Sequence, residues 1–284
     1  MKNDIIIFTQ LKNTWIGGIA CMDRKMIFFD IDGTIISEKT QRCPDSTIDA
    51  IKRAREKGHL AFINTGRTFF NVGEEIRNIG FDGYVCGCGT YIHYKDKPLL
   101  YKTISRDLCF EIVQKLREFK IDALFEGLHD FYFDQTKAHT GELAELKEKF
   151  ILRGLDVTKS WDDPELSFDK FVVWFNQDSD YNGFFSYIDK EFDYIDRGNN
   201  LGEVIPKGYS KATGIQYLQQ YFNIPLENCY AIGDSTNDLS MLKYVTNSIA
   251  MGNSTPVLFD EVSFVTKDIE EGGIKHALNH YGII

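Results

Sequence analysis

The sequence predicts an α/β chain: a Rossmann-like, doubly wound parallel sheet with an α+β domain inserted into it. Two observations carry this reading. Short apolar runs of strand length alternate with helical patterns over residues 22–86 and again over 202–284, as parallel βαβ units require. Between them, residues 87–201 are strand-rich and more irregular, and they read as the inserted domain. A chain of 284 residues has room for both.

Taken in order, the first strand is Met26-Ile27-Phe28-Phe29, which runs into Asp30, Ile31, Asp32, Gly33 and Thr34. Four consecutive apolar residues suit a strand buried on both faces. Asp is rarely buried without a partner, so two carboxylates at the end of such a strand imply that something there uses them. Open α/β sheets hold their ligands at the carboxyl ends of their strands. After Pro44, Asp45 or Ser46 caps a helix with apolar positions Ile48, Ile51 and Ala54, ended by Gly58. Leu60-Ala61-Phe62-Ile63-Asn64 is a second buried strand running into Thr65-Gly66-Arg67. A helical stretch over 68–79 and a short strand, Tyr84-Val85-Cys86, follow.

The insertion offers a helix over 109–119, paired strands over 121–125 and 131–133, a polar helix over 141–150, a strand over 171–175 and another near Tyr194-Ile195. Beyond Pro206 the earlier alternation returns. Ser210 caps a helix over 211–222 with Ile215, Leu218 and Phe222 as its buried stripe. Cys229-Tyr230-Ala231-Ile232 is a strand leading into Gly233-Asp234-Ser235-Thr236-Asn237-Asp238. A helix through Met241 and Leu242, strands over 248–251 and 263–265, and a last helix from Gly273 complete the pattern.

Composition narrows the partners. Hydrophobic residues make up 43% and charged residues 26%, and 22 Phe with 14 Tyr supply an ample core. A net charge of −10 argues against nucleic acid as a partner. It also requires any phosphate site to be locally positive or neutralised by a metal. No apolar stretch approaches the ~20 residues needed to span a membrane. Cys21, Cys43, Cys86, Cys88, Cys109 and Cys229 form no disulfide framework, so reduced thiols and a cytoplasmic location are expected. Cys86-Gly87-Cys88 lacks a second pair at zinc spacing. Residues 1–21 read as an extension of unknown role. Their Ile16-to-Cys21 run resembles a lipoprotein cleavage site, but Asp4, Gln10, Lys12 and Asn13 interrupt the apolar segment such a signal needs.

Beside Asp30 and Asp32, three stretches carry chemistry. Asn64-Thr65-Gly66-Arg67 offers a hydroxyl and a backbone N–H to a phosphate oxygen at a strand end. Lys211 begins a helix, where a cation is disfavoured by the helix dipole, and this fits an ammonium aimed at an anion. Asp234 with Asp30 supplies the hard oxygens that Mg²⁺ takes, and Asp238 lies one helical turn further on.

These motifs, in this order, resemble those of the haloacid dehalogenase superfamily and its Cof-type phosphatases. The resemblance covers 22–284, including Ala250-Met251-Gly252-Asn253-Ser254 and Glu271-Gly272-Gly273. The chain departs from the subgroup at Asn64, where Ala is usual, at Ala212, where Gly is usual, and at Cys88-Gly89-Thr90, where Asn-Gly-Ala is usual.

The resemblance implies that Asp30 is the nucleophile and forms an aspartyl-phosphate. It places Mg²⁺ between Asp30, the backbone carbonyl of Asp32 and Asp234. It makes Asp32 the acid and base, and has Thr65, Gly66, Lys211 and Asn237 hold or support the phosphate, with Asp238 behind Lys211 and the metal. The insertion becomes a substrate-selecting cap. The activity implied is hydrolysis of a small phosphorylated metabolite of the sugar phosphate, nucleotide or pyridoxal phosphate class. A phosphomutase would use the same motifs. So would a non-catalytic binder, although a binder has no need of Asp32. In the insertion, His129, His139, Trp174 and Arg197 are candidates to face a ligand, with cap-core or surface positions as the simpler reading.

Overall fold

The computed structural model describes residues 5–7, 24–137 and 141–284; the sequence readings on the rest of 1–23 and on His139 fall outside these. The chain begins with strands β1 (Ile5–Ile7) and β2 (Met26–Phe29), helix α1 (Asp45–Glu56), β3 (Leu60–Asn64), α2 (Glu74–Arg77), β4 (Gly83–Cys86), β5 (Tyr91–Tyr94) and β6 (Lys97–Lys102). Then come α3 (Arg106–Glu118), β7 (Asp122–Glu126), β8 (Phe131–Phe133), α4 (Gly141–Leu152), β9 (Lys170–Trp174), α5 (Tyr181–Ile188), β10 (Phe192–Gly198) and β11 (Leu201–Pro206). Finally α6 (Lys211–Phe222), β12 (Cys229–Gly233), α7 (Leu239–Tyr244), β13 (Asn247–Ala250), β14 (Phe264–Val265) and α8 (Gly273–His280) follow.

The chain divides into two compact units. One holds residues 24–67, Val72–Tyr101 and Ser210–Ile284. Its sheet runs β1-β6-β5-β4-β3-β2-β12-β13-β14, and the pairings from β4 through to β14 are all parallel. Strand order reverses at β2: the chain moves outward through β3 and β4, then returns to β12 on the other side of β2. That reversal opens a crevice at the carboxyl ends of β2 and β12. Met26 and Phe28 pack on one face with Phe62, Ile215, Leu218, Met241 and Leu242. Ile27 and Phe29 point the other way and are equally buried, so the strand is covered on both sides.

The other unit holds Thr68–Asn71 and Lys102–Tyr209. Its antiparallel sheet runs β10-β11-β9-β7-β8. Alternation along the strands feeds two cores. Phe125, Phe171, Val173 and Val204 pack with Ile112 and Leu116 of α3 and Phe184 and Ile188 of α5. Leu124, Phe131 and Phe133 pack with Leu143 and Phe150 of α4.

Three expectations are corrected. The sequence bounds the insertion at 87–201, but β5 and β6 fold back antiparallel onto β4 and extend the first sheet, while β11 belongs to the second. The half-buried hairpin lacks the continuous apolar signature of the central strands, and for that reason it resembles inserted sequence. The helix expected over 68–79 is only the turn Phe69–Asn71 and the single-turn α2, interrupted at Gly73. In α1 the buried residues are Thr47, Ala50, Ile51 and Ala54, and Ile48 is exposed; its N-cap position is Pro44, with no side-chain cap bond.

Candidate active site

Asp30 leaves β2 into the crevice and Asp234 leaves β12 beside it, because the two strands are parallel neighbours in register. Both side chains are buried. The turn after β12 brings Asp238 back toward them, and ligand oxygens of Asp30, Asp234 and Asp238 lie within 4.8 Å of one another. Lys211, the first residue of α6, reaches the same place. Its Nζ lies 2.6 Å from Asp30 Oδ1 and also contacts Asp238 Oδ1. The ammonium is almost wholly buried.

The support for each group is local. Ser210 caps α6: its hydroxyl accepts from Thr213 N, and its own N–H donates to Thr213 Oγ1 at 2.9 Å, which fixes the first turn that carries Lys211. Asp238 Oδ2 accepts the backbone N–H groups of Asp234 at 3.0 Å and Ser235 at 3.1 Å. Asp238 therefore ties its own loop while holding Lys211. Thr34 donates to Asp234 Oδ1 at 2.7 Å. Gly33 makes that approach possible: a Cβ there would sit 2.3 Å from an Asp234 oxygen, and its φ is +81°. Asn253 donates to Gly33 O at 2.8 Å and accepts from Ile269 N at 3.0 Å, tying the β2 turn to the late loops.

Electrostatics follow from crowding three acids with one cation. Burial pushes the Asp30 carboxyl up to about 7; Lys211 pulls against this, and the Asp238 and Asp32 charges add to it. Asp234 is pushed up to about 8, first by burial and then by Asp30 and Asp238, with the Thr34 hydroxyl and Lys211 opposing. Burial works to lower Lys211, but Asp238 and Asp30 outweigh it and hold the ammonium above its ordinary value. Three buried acids around one ammonium make a hard-oxygen site, and the raised carboxyls of Asp30 and Asp234 mark crowded negative charge that a divalent cation would neutralise.

Asp30, Lys211, Asp234 and Asp238 are thus brought together. Thr65 and Gly66 are buried at the end of β3, and Thr65 Oγ1 accepts from Arg67 N at 3.1 Å. The Asp32 carboxylate lies outside the three-acid cluster, although its charge acts on Asp30. It is about half exposed and paired with Arg67, whose Nε donates to it at 2.9 Å. Asn237 turns to Ser235, accepting from its hydroxyl at 2.5 Å. Of the insertion candidates, His129 is exposed, Trp174 donates to Glu142 at 3.3 Å, and Arg197 pairs with Glu203 at 3.1 Å. The side-chain pairings of Arg67, Thr34 and Asn253 are not legible in the motifs that contain them. Their side chains donate to Asp32, Asp234 and Gly33 across 35, 200 and 220 residues of sequence, beyond any local pattern.

A family model described as haloacid dehalogenase-like hydrolase matches residues 27–278. The chain belongs to the haloacid dehalogenase-like hydrolases. The hydrolase is 30% identical over 271 residues to YkrA of Bacillus subtilis (strain 168), covering 93% of this chain and all of that one; its name calls it a phosphatase and gives no substrate. It is 24% identical to the 5-amino-6-(5-phospho-D-ribitylamino)uracil phosphatase YitU of the same organism, over 90% of this chain and 97% of that one. Among solved structures, the subclass IIB sugar phosphatase BT4131 superposes with a TM-score of 0.75 at 26% identity, covering 92% of this chain and 100% of that one. The hydrolase is a phosphoric monoester hydrolase with the parallel-sheet core of that fold. Among its described residues, no helix is long and apolar enough to cross a membrane.

Proposed function

We propose that this hydrolase removes phosphate from a small phosphorylated metabolite in a Mg²⁺-dependent reaction in which Asp30 is the nucleophile. The observation that carries the reading is the buried meeting of Asp30, Lys211, Asp234 and Asp238 at the reversal of strand order. A carboxylate repels a phosphate dianion. Lys211 beside Asp30 offsets part of that repulsion, and charge neutralisation with positioning is what phosphoryl transfer needs. Asp30 and Asp234, with the backbone carbonyl of Asp32, would hold the Mg²⁺, which supplies the remaining positive charge when bound.

An Asp30 oxygen attacks phosphorus and the bond to the leaving alcohol oxygen breaks, as Asp32 delivers a proton to that oxygen. Water then attacks the phosphorus of the aspartyl-phosphate, Asp32 takes its proton, and Asp30 is released. Acid–base help of this kind is worth on the order of 10²–10⁴-fold. The half-exposed position of Asp32 suits a group that exchanges protons with substrate and water. Thr65, Gly66, Lys211 and Asn237 serve the non-bridging oxygens, directly or through one another.

Of the sugar phosphate, nucleotide and pyridoxal phosphate classes, the first is supported by relatives named as a sugar phosphatase and a phosphoribitylamino-uracil phosphatase. We assign substrate selection to the unit containing Lys102–Tyr209. A cytoplasmic location is supported by the five cysteines among the described residues, all of them free thiols. The test is a panel of phosphorylated metabolites assayed with and without Mg²⁺, using wild-type protein and Asp30→Asn. Turnover should require both the metal and Asp30. Comparable turnover by the Asn variant would end the proposal.

A further inference from the structure

The two departures from the subgroup pattern at Asn64 and Ala212 meet at one peptide group. Asn64 ends β3, is fully buried, and its Nδ2 donates to the carbonyl of Lys211 at 2.9 Å. That carbonyl belongs to the peptide joining Lys211 to Ala212. The same Nδ2 lies 3.5 Å from Met241 Sδ, while Asn64 Oδ1 is buried with no hydrogen-bond partner. The orientation of the amide is set by chemistry, since a carbonyl partner requires the donor end to face it.

An orphaned buried carbonyl oxygen is a destabilising feature, and an apolar side chain would avoid it. Lys211 O does not depend on Asn64 for satisfaction, because it also lies in the first turn of α6, where the helix ladder supplies a donor. The amide therefore adds little to stability. What it does provide is a direct hold from the end of β3 on the backbone of the residue whose ammonium contacts Asp30. We infer that Asn64 is a positioning residue that fixes the Lys211 backbone, and through it the ammonium, for phosphoryl transfer. The inference rests on the phosphatase reading above.

Asn64→Leu and Asn64→Ala remove the donor and the orphaned acceptor together. Both variants should melt within about 3 °C of wild type, because the lost hydrogen bond and the relieved orphan offset each other. Turnover of a generic phosphomonoester should nevertheless fall by about tenfold or more, since small misplacements of a charge-stabilising group are expensive in rate. Asn64→Gln, which keeps a carboxamide donor, should retain more of the rate than either apolar variant, because the donor to the Lys211 carbonyl is what holds the ammonium in place. Wild-type turnover in both apolar variants would overturn the inference. So would a large fall in melting temperature, or a Gln variant no faster than the apolar ones, because either outcome assigns Asn64 a general structural role. An inactive wild type would instead sink the phosphatase reading, which keeps the two failures distinct.

Discussion

Replacing Lys211 with Met tests the charge balance of the site most directly. The lysine is almost wholly buried and is shared by two buried carboxylates, Asp30 and Asp238. Methionine has similar length and is apolar, so the packing volume is nearly kept and the charge is lost. Breaking a buried ion pair by removing one partner costs about 3–5 kcal/mol, because the other charge is left uncompensated. At roughly 2 °C per kcal/mol for a chain of this size, metal-free protein should melt roughly 6–10 °C lower at pH 8. The loss must shrink on acidification. Asp30 already takes up a proton near pH 7 with Lys211 present, and without it the carboxyl holds a proton to still higher pH. Protonation then removes the uncompensated charge, so the deficit at pH 5 should be much smaller than at pH 8. Thermal melts of both proteins in EDTA across that range provide the assay. Equal melting temperatures at pH 8 would refute the claim that Lys211 balances these acids.

Two further outcomes are expected. In wild-type protein without metal, the raised carboxyls of Asp30 and Asp234 bind protons more tightly folded than unfolded, so they oppose folding increasingly as pH rises from about 4 toward 8. Melting temperature should fall over that window in EDTA, and Mg²⁺ should reverse the fall; a metal-free protein most stable at pH 8 would contradict this. Gly89→Ala should lose about 2–4 kcal/mol and depress turnover with it. Its φ is +93°, and the new Cβ would lie 2.3 Å from the carbonyl of Ser210, the residue that caps the helix bearing Lys211. Unchanged melting and rate in that variant would show that the turn at 87–89 does not brace α6.

The central strands were readable because their signals are local. Met26 to Phe29 and Leu60 to Asn64 are buried on both faces, and a strand in that position has to be apolar without interruption. The β5–β6 hairpin reads as inserted sequence for the opposite reason: its burial is partial, and only pairing with β4 shows which sheet it joins. No continuous helix forms over 68–79 because residues 68–71 belong to the second unit, where Phe70 packs against the cluster of Phe131 of β8 and Leu143 and Phe150 of α4, and tertiary contacts override helical periodicity there.

By itself the sequence determined which groups are available at the strand ends: Asp30, Asp32, Thr65, Lys211 and Asp234, each set at the end of a buried strand or the start of a helix. The tertiary structure alone decided how those groups are paired. It joined Asp30 and Asp238 through Lys211, turned Asp32 to Arg67, and set the Asn64 amide on the Lys211 carbonyl. The physical reason is that a side chain's charge environment depends on atoms within a few ångströms. Across the 147 residues between Asn64 and Lys211, or the 181 between Asp30 and Lys211, only the packed sheet brings those atoms together.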